Sequence, residues 1–192
     1  MSDDALFLVN PASDNGATGR RWPQIAHEAA QLGLRGDARF STAPGHLTEL
    51  AREAAEGGAK LLVVVGGDGS VNEVANGIVG RPGVEIAVIA RGTGWDFVRT
   101  YGIPHRVEDA VRVALSGTPR SIDLGRVTYR SWAGGEATSH FANIASAGMS
   151  GAIAQRANST TKALGGKISY LWATLAVFAG WQNGDVHVEV DA

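Results

Sequence analysis

The sequence predicts an α/β fold: a mostly parallel sheet covered by helices, followed by the start of a β-rich second domain. Three observations predict it. Short apolar runs alternate with helix-patterned segments four times before Asp123. Two of those runs, Lys60–Val65 and Val84–Ala90, read as strands buried on both faces, the mark of a parallel sheet. After Asp123 the alternation stops, and two strand-like runs follow with no helix between them.

Each element has a local reason. Ala5–Val9 is a short apolar strand that stops at the Asn10-Pro11 turn. Arg20–Leu32 places Trp22, Ile25, Ala29 and Leu32 on one helical face. Asp37–Ser41 reads as a short strand. His46–Glu56 reads as a helix closed by Gly57-Gly58. The Lys60–Val65 strand is broken by Gly66-Gly67-Asp68-Gly69, and Ser70–Val79 resumes as a helix. The Val84–Ala90 strand is broken by Gly92-Thr93-Gly94, and Val107–Ser116 is a further helix. Leu124–Tyr129 and His140–Ala145 are the later strands, joined through the Gly134-Gly135 region. Lys167–Phe178 is helical, and Asp185–Asp191 alternates like an edge strand. A boundary near 120–125 divides an α/β domain, 1–122, from a partial β-rich domain, 123–192.

Composition narrows the function classes. The chain of 192 residues has 17 basic and 19 acidic side chains and a net charge of −2, with no global attraction for nucleic acid. No cysteine is present, so neither a disulfide framework nor a thiolate nucleophile is available, and a cytoplasmic site fits. The five histidines show no metal-ligand spacing. The N-terminus, MSDDALFLVN, carries acids where a signal peptide needs basic residues. The strongly apolar stretch Tyr170–Trp181 is too short to span a bilayer, so no transmembrane segment is expected.

The strongest chemical signal is Gly66-Gly67-Asp68-Gly69-Ser70, placed between a buried strand and a helix. Glycines there let backbone approach a ligand, and N–H groups at a helix start favour an anion such as phosphate. Asp68 would repel a bare phosphate. It makes sense beside Mg²⁺, as the acceptor of a proton from an attacking hydroxyl, or as a cap for the next helix. All three unusual loops follow strands, so they are expected to gather at the carboxyl edge of the sheet. Glu73 and Asn76 lie three apart near the loop and are candidates for a shared polar contact. Arg91 and Arg99 are candidates for phosphate contact, against a default of surface charge. Neither a P-loop nor a complete dinucleotide fingerprint occurs: Ile168 follows Gly166-Lys167, and Asn72 stands where the last glycine belongs.

Gly66-Gly67-Asp68-Gly69-Ser70-Val71-Asn72-Glu73-Val74-Ala75-Asn76-Gly77 resembles the signature of the diacylglycerol kinase catalytic domain family. Asn10-Pro11-Ala12-Ser13 resembles its opening motif, and Ser41-Thr42 its threonine-bearing second loop. Gly92-Thr93-Gly94-Trp95-Asp96-Phe97 resembles its Gly-Thr-Gly-Asn-Asp-Phe motif, with Trp95 in place of Asn. Phe141–Gly148 resembles the start of its second, β-rich domain.

The resemblance implies a lipid kinase that transfers the γ-phosphoryl group of ATP, with Mg²⁺, to a lipid hydroxyl such as that of diacylglycerol. It implies an ATP site lined by Asn10, Pro11, Ser13, Thr42, Gly66, Gly67, Gly69, Ser70, Glu73, Gly92 and Thr93, with Asp68 and Asp96 as the acidic catalytic candidates and Asp68 beside the metal. The lipid is expected to be met at the membrane surface, by peripheral contact. A NAD kinase-like enzyme and a catalytically incomplete nucleotide-binding fragment are the alternatives. The second domain ends in mid-pattern, at a strand with no later partner, which makes a homodimer an expectation as well.

Overall fold

A computed structural model describes residues 5–92, 94–131, 134–146, 148–159 and 166–184. It divides into two compact units, residues 1–144 and 145–192.

The first unit is built on four strands: β1 (Ala5–Val9), β2 (Gly36–Phe40), β3 (Leu61–Gly66) and β4 (Glu85–Ala90). All pair in parallel, in the order β2-β1-β3-β4. The centre of the sheet is β1 and β3, where Leu8, Val9 and the run Leu62–Val65 have no exposure. Removing one such Val or Leu side chain from water stabilises the fold by about 1.5–3 kcal/mol, which is why these runs carry no polar residue.

Helices cover both faces. On one, α1 (Ala17–Gln31) and α5 (Val107–Ser116) enclose Phe7, Val9, Ile25, Ala29, Val63 and Ile89. On the other, α2 (His46–Glu56) and α3 (Asp68–Ile78) enclose Leu8, Leu47, Leu62, Val64, Val74 and Val88. The chain leaves β1 toward β2 on one side and returns across the sheet to β3 on the other. The winding direction therefore reverses between β1 and β3, and the crevice beyond their carboxyl ends is where such sheets bind ligands.

The predicted alternation is found, with three differences. A helix α4 (Asp96–Tyr101) follows the β4 loop, where no element was expected. The antiparallel hairpin is β5 (Gly125–Arg130) with β6 (Glu136–Phe141), so the second strand begins four residues before the predicted His140 and stops at Phe141. Its register places Arg130 opposite Glu136 and Gly125 opposite Phe141. In the second unit, α6 (Met149–Ser159) is also new, and it packs against α7 (Gly166–Gly180), burying Ile153 and Ala173. The predicted strand Asp185–Asp191 lies outside the described residues.

The helices α2 and α3 touch most closely at Gly77, where an added Cβ would meet the Thr48 carbonyl oxygen and lie 2.7 Å from Ala51 Cβ. In an open helix Gly→Ala stabilises by roughly 0.5–1 kcal/mol. Here Gly77→Ala is expected to destabilise by about 1–3 kcal/mol through overpacking, measured by urea denaturation.

Candidate functional site

Three loops meet at the carboxyl edge, and their own contacts fix how they meet. The loop after β1 is tied to β3 and α3: Asn10 N–H donates to the Val65 carbonyl at 2.9 Å, and Asn10 Nδ2 donates to Ser70 Oγ at 3.0 Å. Asn10 Oδ1 accepts the Ala12 N–H at 3.1 Å, an Asx turn that bends the chain at Pro11. Asp14, Asn15 and Gly16 then take consecutive left-handed conformations, φ 52°, 52° and 78°, which deliver the chain into α1. Ser13 serves this turn. Its Oγ donates to the Asn10 carbonyl at 2.9 Å and lies 2.6 Å from the Oγ1 of Thr18, a buried polar residue.

The β3 and β4 loops touch backbone to backbone. A Cβ on Gly92 would lie 2.7 Å from Gly67 Cα, and one on Gly67 would lie 3.3 Å from Gly92 Cα. Arg91 N–H reinforces the contact by donating to the Gly66 carbonyl at 2.6 Å. Gly66 is confined as well, because a Cβ there would meet Ser70 Oγ and lie 2.6 Å from Ser70 Cβ. Gly69 differs. It is helical, in the first turn of α3, and a Cβ there would meet nothing within 4 Å. The fold itself therefore does not require glycine at 69, and alanine would favour the helix. The N–H groups of Asp68 and Gly69 open α3 and have no intrahelical acceptor.

Asp68 does not cap α3. Its Oδ1 accepts the Phe97 N–H at 2.8 Å and so caps α4, whose N-cap residue, Trp95, has no side-chain oxygen to offer. Its Oδ2 faces Gly94, whose added Cβ would lie 2.6 Å from Asp68 Oδ2 and 3.4 Å from Asp96 Oδ2. Two carboxylates thus converge on Gly94. Asp96 also pairs with Arg99 at 3.3 Å, and Arg99 donates to the Gly94 carbonyl at 3.1 Å, an exposed brace worth little by itself. Among the described residues no cluster of three or more His, Cys, Asp or Glu is placed to hold a metal. A cation at Gly94 would fill its shell with phosphate and water oxygens, as Mg²⁺ commonly does.

Trp95 stands at φ 65°, where a bulky residue is strained by about 1–3 kcal/mol. Its ring stacks on His105, with centroids 4.3 Å apart, and remains 42% exposed. With Gly67, Asp68 and the apolar Val71, Val88 and Phe97 it lines a small crevice at the edge.

The remaining predicted residues are placed as follows. Thr42 follows β2, at the same edge of the sheet; its N–H donates to His46 Nδ1 at 3.1 Å, securing the start of α2. Glu73 and Asn76 do not contact each other. Glu73 Oε2 accepts the Leu47 N–H at 3.1 Å and so caps α2. Asn76 clamps β6: its Nδ2 donates to the His140 carbonyl at 2.8 Å and its Oδ1 accepts the His140 N–H at 2.9 Å. Thr93 lies outside the described residues. Sequence reasoning missed the Asn76–His140 clamp, the Trp95–His105 stack and the left-handed turn. Only the last had a local signal, the Asp14-Asn15-Gly16 tripeptide.

Glycine loops and two carboxylates thus gather at the carboxyl edge of an α/β sheet, where sheets of this kind place their ligands. A family model, Diacylglycerol kinase catalytic domain, matches residues 4–127, and the chain belongs to that family. Among characterised relatives, a diacylglycerol kinase of Bacillus subtilis is 30% identical over 97% of this chain and 59% of its own length. One from Staphylococcus carnosus is 28% identical over 100% of this chain and 60% of its own. The chain therefore spans about 60% of the length of these relatives. A crystal structure of a diacylglycerol kinase from Bacillus anthracis superposes with a TM-score of 0.56 at 26% identity, covering 66% of this chain and 46% of that one.

The cap on α4 gives a stability test that separates two substitutions. Asp68→Ala removes the acceptor for Phe97 N–H and is expected to cost about 1 kcal/mol. Asp68→Asn keeps an oxygen at Oδ1 and is expected to stay within about 0.5 kcal/mol of the parent. Thermal melts of the two variants side by side check both values.

Proposed function

We propose that the carboxyl edge binds the phosphates of ATP, and that the protein transfers the γ-phosphoryl group to a lipid hydroxyl such as that of diacylglycerol. The observation that carries the reading is Gly69. It is an exposed helical glycine that the protein's own packing does not need, beside two N–H groups with no intrahelical acceptor, at the carboxyl edge of the sheet. Space and donors left there suit an incoming anion. Family membership favours a lipid alcohol over NAD as the acceptor.

In this reading the Asn10 turn, Gly67, Gly69 and the Gly92–Thr93 segment surround the phosphates, with Thr42, Ser70 and Glu73 shaping the surrounding wall. The residues present fit a divalent cation held by Asp96, whose Oδ2 lies near Gly94, with phosphate and water oxygens completing its shell and Asp68 Oδ2 left as a proton acceptor on the same side. When bound, Mg²⁺ supplies charge neutralisation for the phosphates. The acceptor oxygen bonds to the γ-phosphorus as the bond to the β–γ bridging oxygen breaks, and ADP leaves. Asp68 Oδ2, free of the cap that occupies Oδ1, takes the hydroxyl proton. Asp96, beside it, holds negative charge near the same point. No helix among the described residues is long and apolar enough to cross a membrane, and in this reading the lipid is met at the bilayer surface.

Two measurements test the reading. Gly69→Ala is expected to raise stability by about 0.5 kcal/mol and to weaken MgATP binding by roughly 10-fold or more in calorimetry. Unchanged affinity in the folded variant would remove the phosphates from this loop. Asp68→Asn, with its cap retained, is expected to lower lipid phosphorylation by about 10²-fold in a radiolabelled-ATP assay with diacylglycerol in mixed micelles. Near-parent turnover would take the proton-acceptor role away from Asp68.

A further inference from the structure

The loops and carboxylates described so far leave the side chain of Arg91 without a task. Buried residues alternate along β4: Val88 and Ala90 join the core beneath α2 and α3, and Ile89 joins the core beneath α1 and α5. Arg91, next in line, continues this alternation toward α1 and α5. Its charged neighbours agree, being Arg21 and Glu28 of α1 and Asp14 of the left-handed turn.

Arg91 Nε is buried and has no hydrogen-bond partner among the described residues. The ion pairs among those residues use Arg39, Arg81, Arg99, Arg106 and Arg112, so neither Glu28 nor Asp14 has closed on Arg91 within 4 Å. A buried donor without a protein partner is uncommon, and it leaves Arg91 Nε without an acceptor supplied by the fold. Burial holds the Arg91 guanidinium below its ordinary pKa, Arg21 pushes the same way, and Glu28 and Asp14 only offset this in part. An arginine stays charged under such pressure, so the guanidinium keeps its charge with no carboxylate at ion-pair distance, Glu28 and Asp14 acting on it only from farther off.

The backbone of Arg91 is fastened to the phosphate-loop candidate. Its N–H bonds the Gly66 carbonyl, and its neighbour Gly92 contacts Gly67. The guanidinium is therefore anchored next to the switch point but on the α1 side of it, across the sheet from Asp68 and α3.

We propose that Arg91, with Arg21, forms an anion subsite on the α1 side of the carboxyl edge that takes a phosphate group of a polyphosphate ligand. That the polyphosphate belongs to a nucleotide rests on the reading above; that the site takes the anion does not. The guanidinium fork suits a phosphate with two oxygens presented, and Arg21, at an exposed position, adds charge without being needed for the fold. The site would thus divide its labour, with backbone N–H groups on the α3 side and guanidinium groups on the α1 side.

The experiment titrates the 192-residue chain with inorganic tripolyphosphate and, separately, with MgATP, following heat and thermal melting. Arg91→Met, of similar length and apolar, is expected to bind tripolyphosphate at least 10-fold more weakly. Its melting temperature should be unchanged or higher, because it removes an unpaired buried donor. A purely structural arginine would behave in the opposite way, lowering the melting temperature and leaving anion binding intact. Arg91→Lys should recover part of the affinity, since it restores charge without the fork. If Arg91→Met fails to fold, Arg21→Gln decides: a loss of about threefold or more supports the subsite, and parent-like binding contradicts it. Tripolyphosphate affinity of Arg91→Met within twofold of the parent, or no tripolyphosphate binding by the parent, overturns the proposal. Tripolyphosphate binding through Arg91 without MgATP binding keeps the subsite and removes the nucleotide reading instead.

Discussion

The backbone contact between Gly67 and Gly92 sets the spacing of the whole carboxyl edge. A Cβ on Gly92 would lie 2.7 Å from Gly67 Cα, so β3 and β4 can bring their loops this close only with glycine at 92, and a Cβ on Gly67, 3.3 Å from Gly92 Cα, would also be tight. The closeness has consequences in both directions along the chain. It places Asp68, one residue past Gly67, within reach of the Phe97 N–H, and it holds Arg91, one residue before Gly92, against the Gly66 carbonyl. The α4 helix, the convergence of two carboxylates on Gly94 and the anchoring of the half-buried Arg91 all follow from this contact. The third loop is added by the Asn10–Ser70 bond, which holds the β1 turn to the first turn of α3.

Helix α3 is the hub of these connections. Asp68 caps α4, Ser70 receives Asn10, Glu73 caps α2, and Asn76 clamps both backbone groups of His140 in β6. A helix of eleven residues thus uses four polar side chains to hold four different segments. What remains uncommitted on its first turn is Asp68 Oδ2, the open face of Gly69 and the opening N–H groups. The parts with no structural task are the parts a phosphate ligand and an attacking hydroxyl would use. That separation is the physical argument for function in this protein.

The sheet was legible because its signals are local. The strand β3 announces itself as an unbroken apolar run ended by glycine and β4 by the apolar run Ile86–Ala90 shortly before Gly92, and α2 and α5 carry helical spacing whose bounds the structure reproduces at His46–Glu56 and Val107–Ser116. The α4 helix was not legible, since it has six residues and its cap comes from Asp68, 29 positions earlier. The bounds of β6 were not legible because Glu136, Thr138, Ser139 and His140 make it a mostly polar strand with no apolar run to mark it. At the edge, residue identities could be read from the sequence, but their tasks could not. Glu73 and Asn76, three apart on one helix, look like partners in one dimension, yet they serve segments 26 and 64 positions away. The departure at Trp95 could be seen in the sequence. That Asp68 supplies the cap its side chain cannot give is a fact of three dimensions only.

The central claim is that an anion enters where α3 begins, between the glycine loops. Amide hydrogen exchange of the chain with and without saturating MgATP tests it most directly, because it reads backbone N–H groups one by one. The account predicts slowed exchange at Asp68 and Gly69, extending to the Asn10–Gly16 turn and the segment after β4, with the α2–α3 packing surface unaffected. Slowing confined to any other surface, or unchanged exchange at Asp68 and Gly69 while ATP is bound, would contradict it.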